Sequence, residues 1–369
     1  MQTLRPYIVT IFALSVYVVF VWVAFGSPLA LVTPGSNFSP TEMFIYSDEG
    51  YDGQFVYYIA RDPLNAAPLI DVPAYRYQRV LLPALGWLLS LGQAPLLPFA
   101  LLLVNGVALA GSAALLENLL RQHKVSRWYA LGYSLSLAAL GGARLTLPEP
   151  LAYGLCVVGV WLILRDRWLP GAMMFAFAAL AKETTLVFAA GVGLHLLIQR
   201  KLPQAFTFGA VILVPFAVWQ GVLYRWLGSP GIGSGGGGAT SFEVIPFMGV
   251  VRILTEGGIA AFAALMLILA PAVLLPTFWG LWRCWRDFRM NQWHLYTWLL
   301  LVNSAIMLFV PFSTYREPNG ILRFIAGLQL AVILYAAHRR NRRALRLSSY
   351  WAFTVLLVIA SDAAVAFGG

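Results

Sequence analysis

The residues best suited to chemistry lie in one stretch, Tyr46-Ser47-Asp48-Glu49-Gly50-Tyr51-Asp52-Gly53-Gln54-Phe55-Val56-Tyr57-Tyr58. Carboxylates beside aromatic rings suit a sugar or alcohol, because rings stack on apolar faces while a carboxylate takes a hydroxyl proton. Asp52 and Asp48 are the candidate bases, with Glu49, Tyr51 and Gln54 beside them as ligand contacts. An amphipathic interfacial helix with its acids in water would carry the same residues.

Cations suited to phosphate follow. Asp71-Val72-Pro73-Ala74-Tyr75-Arg76-Tyr77-Gln78-Arg79 sets two arginines three apart, on one side of a helix or turn, and guanidinium groups offer paired donors to phosphate. Snorkelling to lipid headgroups is the other use of such a pair. Glu149 lies between two apolar runs, adjacent Lys182 and Glu183 between two others, and Arg316, Glu317 and Arg323 follow a later one. Ionisable groups at a membrane edge are candidates for function, and a phosphate or pyrophosphate would gather these separate cations around one ligand.

What must position these groups is almost entirely apolar. Of the 369 residues 60% are hydrophobic and 11% charged, and mean hydropathy is +0.75, which excludes an ordinary soluble domain. The net charge of +10 comes from short basic clusters between apolar runs, so nucleic acid is not the expected partner and membrane lipids are. The expected fold class is an all-α polytopic membrane protein with about eleven transmembrane helices. Spans are expected near 7–26, 95–118, 128–145, 149–164, 169–186, 187–199, 205–226, 258–281, 294–312, 322–337 and 348–367, by apolar length and breaks. The first is read as an uncleaved helix rather than a signal peptide.

The whole chain, 1–369, is read as one transmembrane domain. The segment 27–94 is an outer loop with interfacial helices and the candidate active site, and 228–257 is a second outer loop with a glycine-rich run at 231–238. That run suits a mobile lid or a plain solvated connector. Taking 79–92 as an interfacial helix leaves the clusters at Arg121, Lys124 and Arg127, at Arg165 and Arg167, at Arg200 and Lys201, at Arg283, Arg286 and Arg289, and at 339–346 on one side. Only Glu117, Asp166 and Asp287 oppose them there. By the positive-inside rule that side, with the N-terminus, is cytoplasmic, and the acids and the candidate site face outward from a bacterial inner membrane.

No histidine-based outer site, zinc pattern, Walker sequence or disulfide framework is visible. No cofactor is required; the carboxylates suit a hard divalent ion or act without one, and no metal site is assigned.

The order of these features resembles the type C (GT-C) membrane glycosyltransferases, particularly the protein mannosyltransferase and aminoarabinose transferase branch. It rests on Asp48-Glu49 and Tyr51 after a first span, Leu81-Leu82-Pro83, Glu149 after the third span, and Ala181-Lys182-Glu183-Thr184. Gly50-Tyr51-Asp52-Gly53-Gln54-Phe55, Ala60-Arg61-Asp62-Pro63 and 73–79 are similar to a bacterial group linked to cell-surface glycopolymer formation. The resemblance implies transfer of a sugar from a polyprenyl-phosphate carrier to a glycan or lipid acceptor. An outer-loop Asp would be the base, and Arg or Lys would hold the departing phosphate. Asp48 matches the broader branch and Asp52 the narrower group. With no soluble domain read after the last span, acceptor recognition is expected to fall to the two long loops. A transporter or flippase of a lipid-linked sugar, or a noncatalytic subunit of a glycopolymer assembly system, would also use a charged outer cavity.

Overall fold

Helix formation follows the apolar runs, but their lengths divide them into two kinds. The computed structural model describes residues 4–39 and 41–368. Five helical stretches among them are long and apolar enough to cross a membrane: Pro6–Phe25, Ala94–Gln122, Leu202–Leu227, Met248–Arg289 and Arg342–Phe367. The pair Pro318–Phe324 and Ala326–His338, bent by 46°, makes a sixth if it counts as one span. The first shows how such a helix is delimited. Pro6 sits at its first turn, where no N–H partner is needed, and Gly26 closes it in the left-handed region (φ +66°), returning its N–H to the Trp22 carbonyl.

The expectation of about eleven spans is therefore overturned. Glu149–Ile163, Trp168–Ala181, Thr185–Ile198 and Leu295–Ile306 have 15, 14, 14 and 12 residues. At about 1.5 Å per residue these reach roughly 18–22 Å, short of a hydrocarbon core of ~30 Å. Glu149–Ile163 and Leu295–Ile306 are interior, with no exposed residue, whereas Trp168–Ala181 buries Phe175 but leaves Leu169, Met173 and Phe177 exposed, and Thr185–Ile198 buries Phe188 but leaves Leu197 and Ile198 exposed. The run at 128–145 forms no single helix but a chain of short 3₁₀, α and π turns. Where segments do not cross, counting loops gives no parity, so the multi-pass inner-membrane topology with a cytoplasmic N-terminus falls with the span count.

The long helices carry exposed apolar surface as well. Phe12, Val19 and Val23 on the first, and Phe206, Val214 and Val218 on the 202–227 helix, are exposed. Met248–Leu269 is interrupted at Gly258, whose φ of +79° and ψ of 172° lie outside any helix, so the continuous part of that stretch starts there.

Connectivity gives the bundle two ends. Helix Glu149–Ile163 begins beside Lys182 and finishes before Arg165, whose guanidinium donates to Asn118 at the end of the 97–122 helix (3.3 Å). Near that second end the His123, His294 and His338 rings meet, with His294 and His338 stacked at 3.9 Å, and Arg340 donates to the His123 carbonyl. The first end holds the short helices Gly53–Arg61, Pro73–Tyr77 and Leu81–Ser90. The expected interfacial character is limited to the last of these. Every residue from Gly53 to Ala60 is buried, whereas Trp87, Leu88 and Leu89 are exposed.

Candidate functional site

Asp52 is aimed by its neighbours. Gly50 adopts φ +65° against Thr33 and Gly35, and a Cβ on Gly53 would stand 2.1 Å from the Leu145 carbonyl oxygen, so only glycine lets the chain turn and dock here. Gln54 braces the same turn: its Oε1 accepts from the Gly35 N–H and its Nε2 donates to the Glu49 carbonyl, both at 2.8 Å. The turn delivers the Asp52 carboxylate to a cavity of about 1340 Å³.

Four carboxylates and four cations interlock around it. Asp52 Oδ1 lies 3.0 Å from Arg76 Nη2, and Oδ2 accepts from Arg323 Nη1 at 2.7 Å. Arg323 also donates from Nε to Glu149 Oε1 (2.8 Å) and from Nη1 to the Tyr51 hydroxyl (3.3 Å). The same Glu149 oxygen accepts from Lys182 Nζ at 2.5 Å, and Glu149 Oε2 is buried without a partner among the described residues. Arg79 grips Glu183 through two bonds of 2.6 and 2.9 Å. Asp71 accepts two from Arg76, each 2.8 Å. Aromatic rings back both arginines of this loop, Arg76 at 4.4 Å over Phe55 and Arg79 at 4.3 Å over Tyr75, in the range of cation–π attraction.

Burial sets the electrostatics. At Asp52 burial works against ionisation, but the Arg76 and Arg323 guanidiniums outweigh it and hold the carboxyl below its ordinary range. At Lys182 burial dominates and lowers the ammonium's pKa, with Glu149 opposing. Burial pushes the Tyr51 hydroxyl up to about 12, so it remains a neutral donor or acceptor. Charges balance within the cluster, and Asp52, with 27% of its side chain exposed, is its most accessible carboxylate.

The glycine-rich loop covers this cluster. Gly237 donates its N–H to Asp71 Oδ2 (3.0 Å), Gly231 and Ile232 donate to Gln220 Oε1, and Thr240 and Ser313 exchange bonds of 3.0 and 3.1 Å. A Cβ on Gly236 would stand 3.3 Å from both Arg76 Nη2 and the Tyr75 ring. Beyond the charges the cavity wall turns apolar, with Leu186, Val187, Ile253, Leu265 and Ile306.

Of the residues singled out by sequence, the structure brings together Tyr51, Asp52, Arg76, Arg79, Glu149, Lys182, Glu183 and Arg323. Arg316 and Glu317 are exposed at the rim, Arg316 at 5.4 Å over Phe312. Asp48 and Glu49 are exposed and outside the cavity, Asp48 accepting from Ser36 Oγ at 3.1 Å, and Gln54 serves the turn. Asp71 and Tyr75 were absent from the expected site, though Asp71 stands five residues before Arg76.

Searches against protein-family models, curated proteins and solved structures found no match to this chain. The resemblance to type C glycosyltransferases is thereby overturned, together with its architecture: five or six membrane-length helices stand where about eleven were expected. The sugar-transfer function drawn from it fails on the same topology. Among the described residues no three His, Cys, Asp or Glu side chains are grouped to hold a metal ion.

Proposed function

We propose that the cavity takes a phosphate-bearing amphiphile and that the chain acts on it as an enzyme, with Asp52 turning from ion-pair partner to proton acceptor. The observation that carries this reading is that the two oxygens of Asp52 are held by guanidiniums from distant segments, Arg76 and Arg323, at the wall of a cavity. A phosphate offers the same paired oxygens with more charge. When it engages Arg76 and Arg323, the cations that hold the Asp52 carboxyl low are diverted, and burial, which opposes ionisation, raises its basicity. Lys182 and Arg79 add positive charge nearby, and the apolar wall of Leu186, Val187, Leu265 and Ile306 accepts an alkyl chain.

Titration of the purified protein with hexyl phosphate, and with hexanol as the uncharged counterpart, tests the reading. Saturable binding of the phosphate alone is expected, weakened about 10- to 100-fold in Arg323→Gln, as for a hydrogen bond to a charged group of about 1.5–3 kcal/mol. Equal binding of the two compounds, or an Arg323→Gln protein that binds as the wild type does, would reject it.

A further inference from the structure

The helix Leu275–Arg289 sorts its residues by both face and depth. Thr277, Gly280, Cys284 and Asp287, three or four apart, are buried. The opposite stripe is exposed and changes character along the axis: Leu275 and Phe278 first, then Trp282 and Trp285, then Arg286 and Arg289. Hydrocarbon, indole and guanidinium thus succeed one another over 15 residues, about 21 Å at 1.5 Å per residue, in the order in which one leaflet passes from acyl chain to headgroup.

The arginines are held as a set. Arg286 lies 5.1 Å over the Trp282 ring, Arg289 5.0 Å over Trp285, and Arg283 5.7 Å over Trp282. None of the three has a carboxylate partner within ion-pair distance among the described residues; the one acid on this turn, Asp287, is buried and engaged by Arg339 at 2.8 Å. Trp293, also exposed, extends the aromatic shelf by stacking on Phe288 at 4.8 Å. Nucleic acid or an acidic protein would satisfy the arginines but leave Leu275 and Phe278 in water. A lipid satisfies both.

We infer that this end of the Leu275–Arg289 helix is a docking surface for anionic phospholipid headgroups, with Trp282 and Trp285 at the boundary and Arg286 and Arg289 on the phosphates. It is separate from the charged cavity, and its occupant is the leaflet itself.

Reconstitution into vesicles of mixed phosphatidylglycerol and phosphatidylcholine, with bromine on the acyl chains of one or the other, reads the lipid beside the tryptophans by fluorescence quenching. The difference between the wild type and Trp282→Phe/Trp285→Phe isolates these two rings. At low salt a preference for phosphatidylglycerol is expected, falling roughly 5-fold for each arginine removed in Arg286→Gln and Arg286→Gln/Arg289→Gln. In wild type at 1 M NaCl, where screening acts over about 3 Å, the preference shrinks without any substitution. Equal quenching by both lipids in the wild type at low salt, or a preference unaffected by salt, overturns the proposal.

Discussion

Two carboxylate–guanidinium networks in this chain differ in what they leave open. Asp362 accepts two bonds from Arg144 (2.8 and 2.7 Å), one from Tyr17 and one from Tyr46 (2.7 Å each), while Arg144 spends its remaining arm on the Ala30 carbonyl. Both side chains are 0% exposed. Every strong acceptor site of that carboxylate is used, so nothing can enter. Around Asp52 the distances are similar, yet the carboxylate faces a cavity and the nearby Glu149 keeps an oxygen unpartnered among the described residues. The same pair of functional groups serves as a pin in one place and as an exchangeable contact in the other, and the difference lies in saturation and access rather than in bond length.

The largest expected effect separates the two on stability. Arg144→Met strands a buried carboxylate that joins the first helix to the last, and should cost about 3–5 kcal/mol, measured by chemical unfolding in detergent. A loss below about 1 kcal/mol would put the two networks in the same class. Next, Asp52→Asn removes the anion that competes for Arg76 and Arg323. Hexyl phosphate should bind about tenfold more tightly, roughly 1.4 kcal/mol, while any turnover is lost. Calorimetry in buffers of different ionisation enthalpy should also detect proton uptake on binding in the wild type, absent in the variant. Weaker binding by Asp52→Asn would mean that the carboxylate helps to hold the ligand rather than competing with it.

A pH comparison sharpens the same point. Because the folded-state pKa of Asp52 lies below its ordinary 3.8, the stability it contributes is present above that value and lost as pH falls through the folded pKa. The stability difference between wild type and Asp52→Asn should therefore be constant from pH 8 to 5 and shrink only below about 4. The smallest effect is expected at Asp71, whose Oδ2 joins Arg76 to the Gly237 amide. Asp71→Asn keeps one acceptor oxygen and leaves Arg76 its contact with Asp52, so it should cost about 1 kcal/mol of global stability but speed proteolysis within 231–238, and an unchanged cleavage rate would detach the loop from the cluster.

Much of the site could be read from residue type and local clustering. Asp52 stood out as a carboxylate among aromatic residues and Arg76 and Arg79 as a guanidinium pair, while Glu149, Lys182, Glu183 and Arg323 stood out as ionisable groups at the ends of apolar runs, and burying such groups is costly enough to demand a reason. Asp48 belongs to the same motif and has the same chemistry as Asp52 but sits outside the cavity, because the turn at Gly50 sends the acids before and after it in different directions. The Arg144–Asp362 pin was hidden by separation: its partners are 218 residues apart, and no local pattern links them.

Sequence alone determined that most of this chain must avoid water, where its apolar runs begin and end, and that its basic clusters are segregated from most of its acids. Those are properties of composition and order, and hydropathy reads them directly. Only the tertiary structure decided which apolar runs form membrane-length helices and which form short ones packed into the bundle, since a 14-residue helix with one face against its neighbours and a piece of a longer span have the same hydropathy. It alone decided, too, that Arg323 would meet Asp52 while Arg144 met Asp362, because pairing in an apolar interior depends on where helix ends converge, and that convergence is set by packing over the whole bundle.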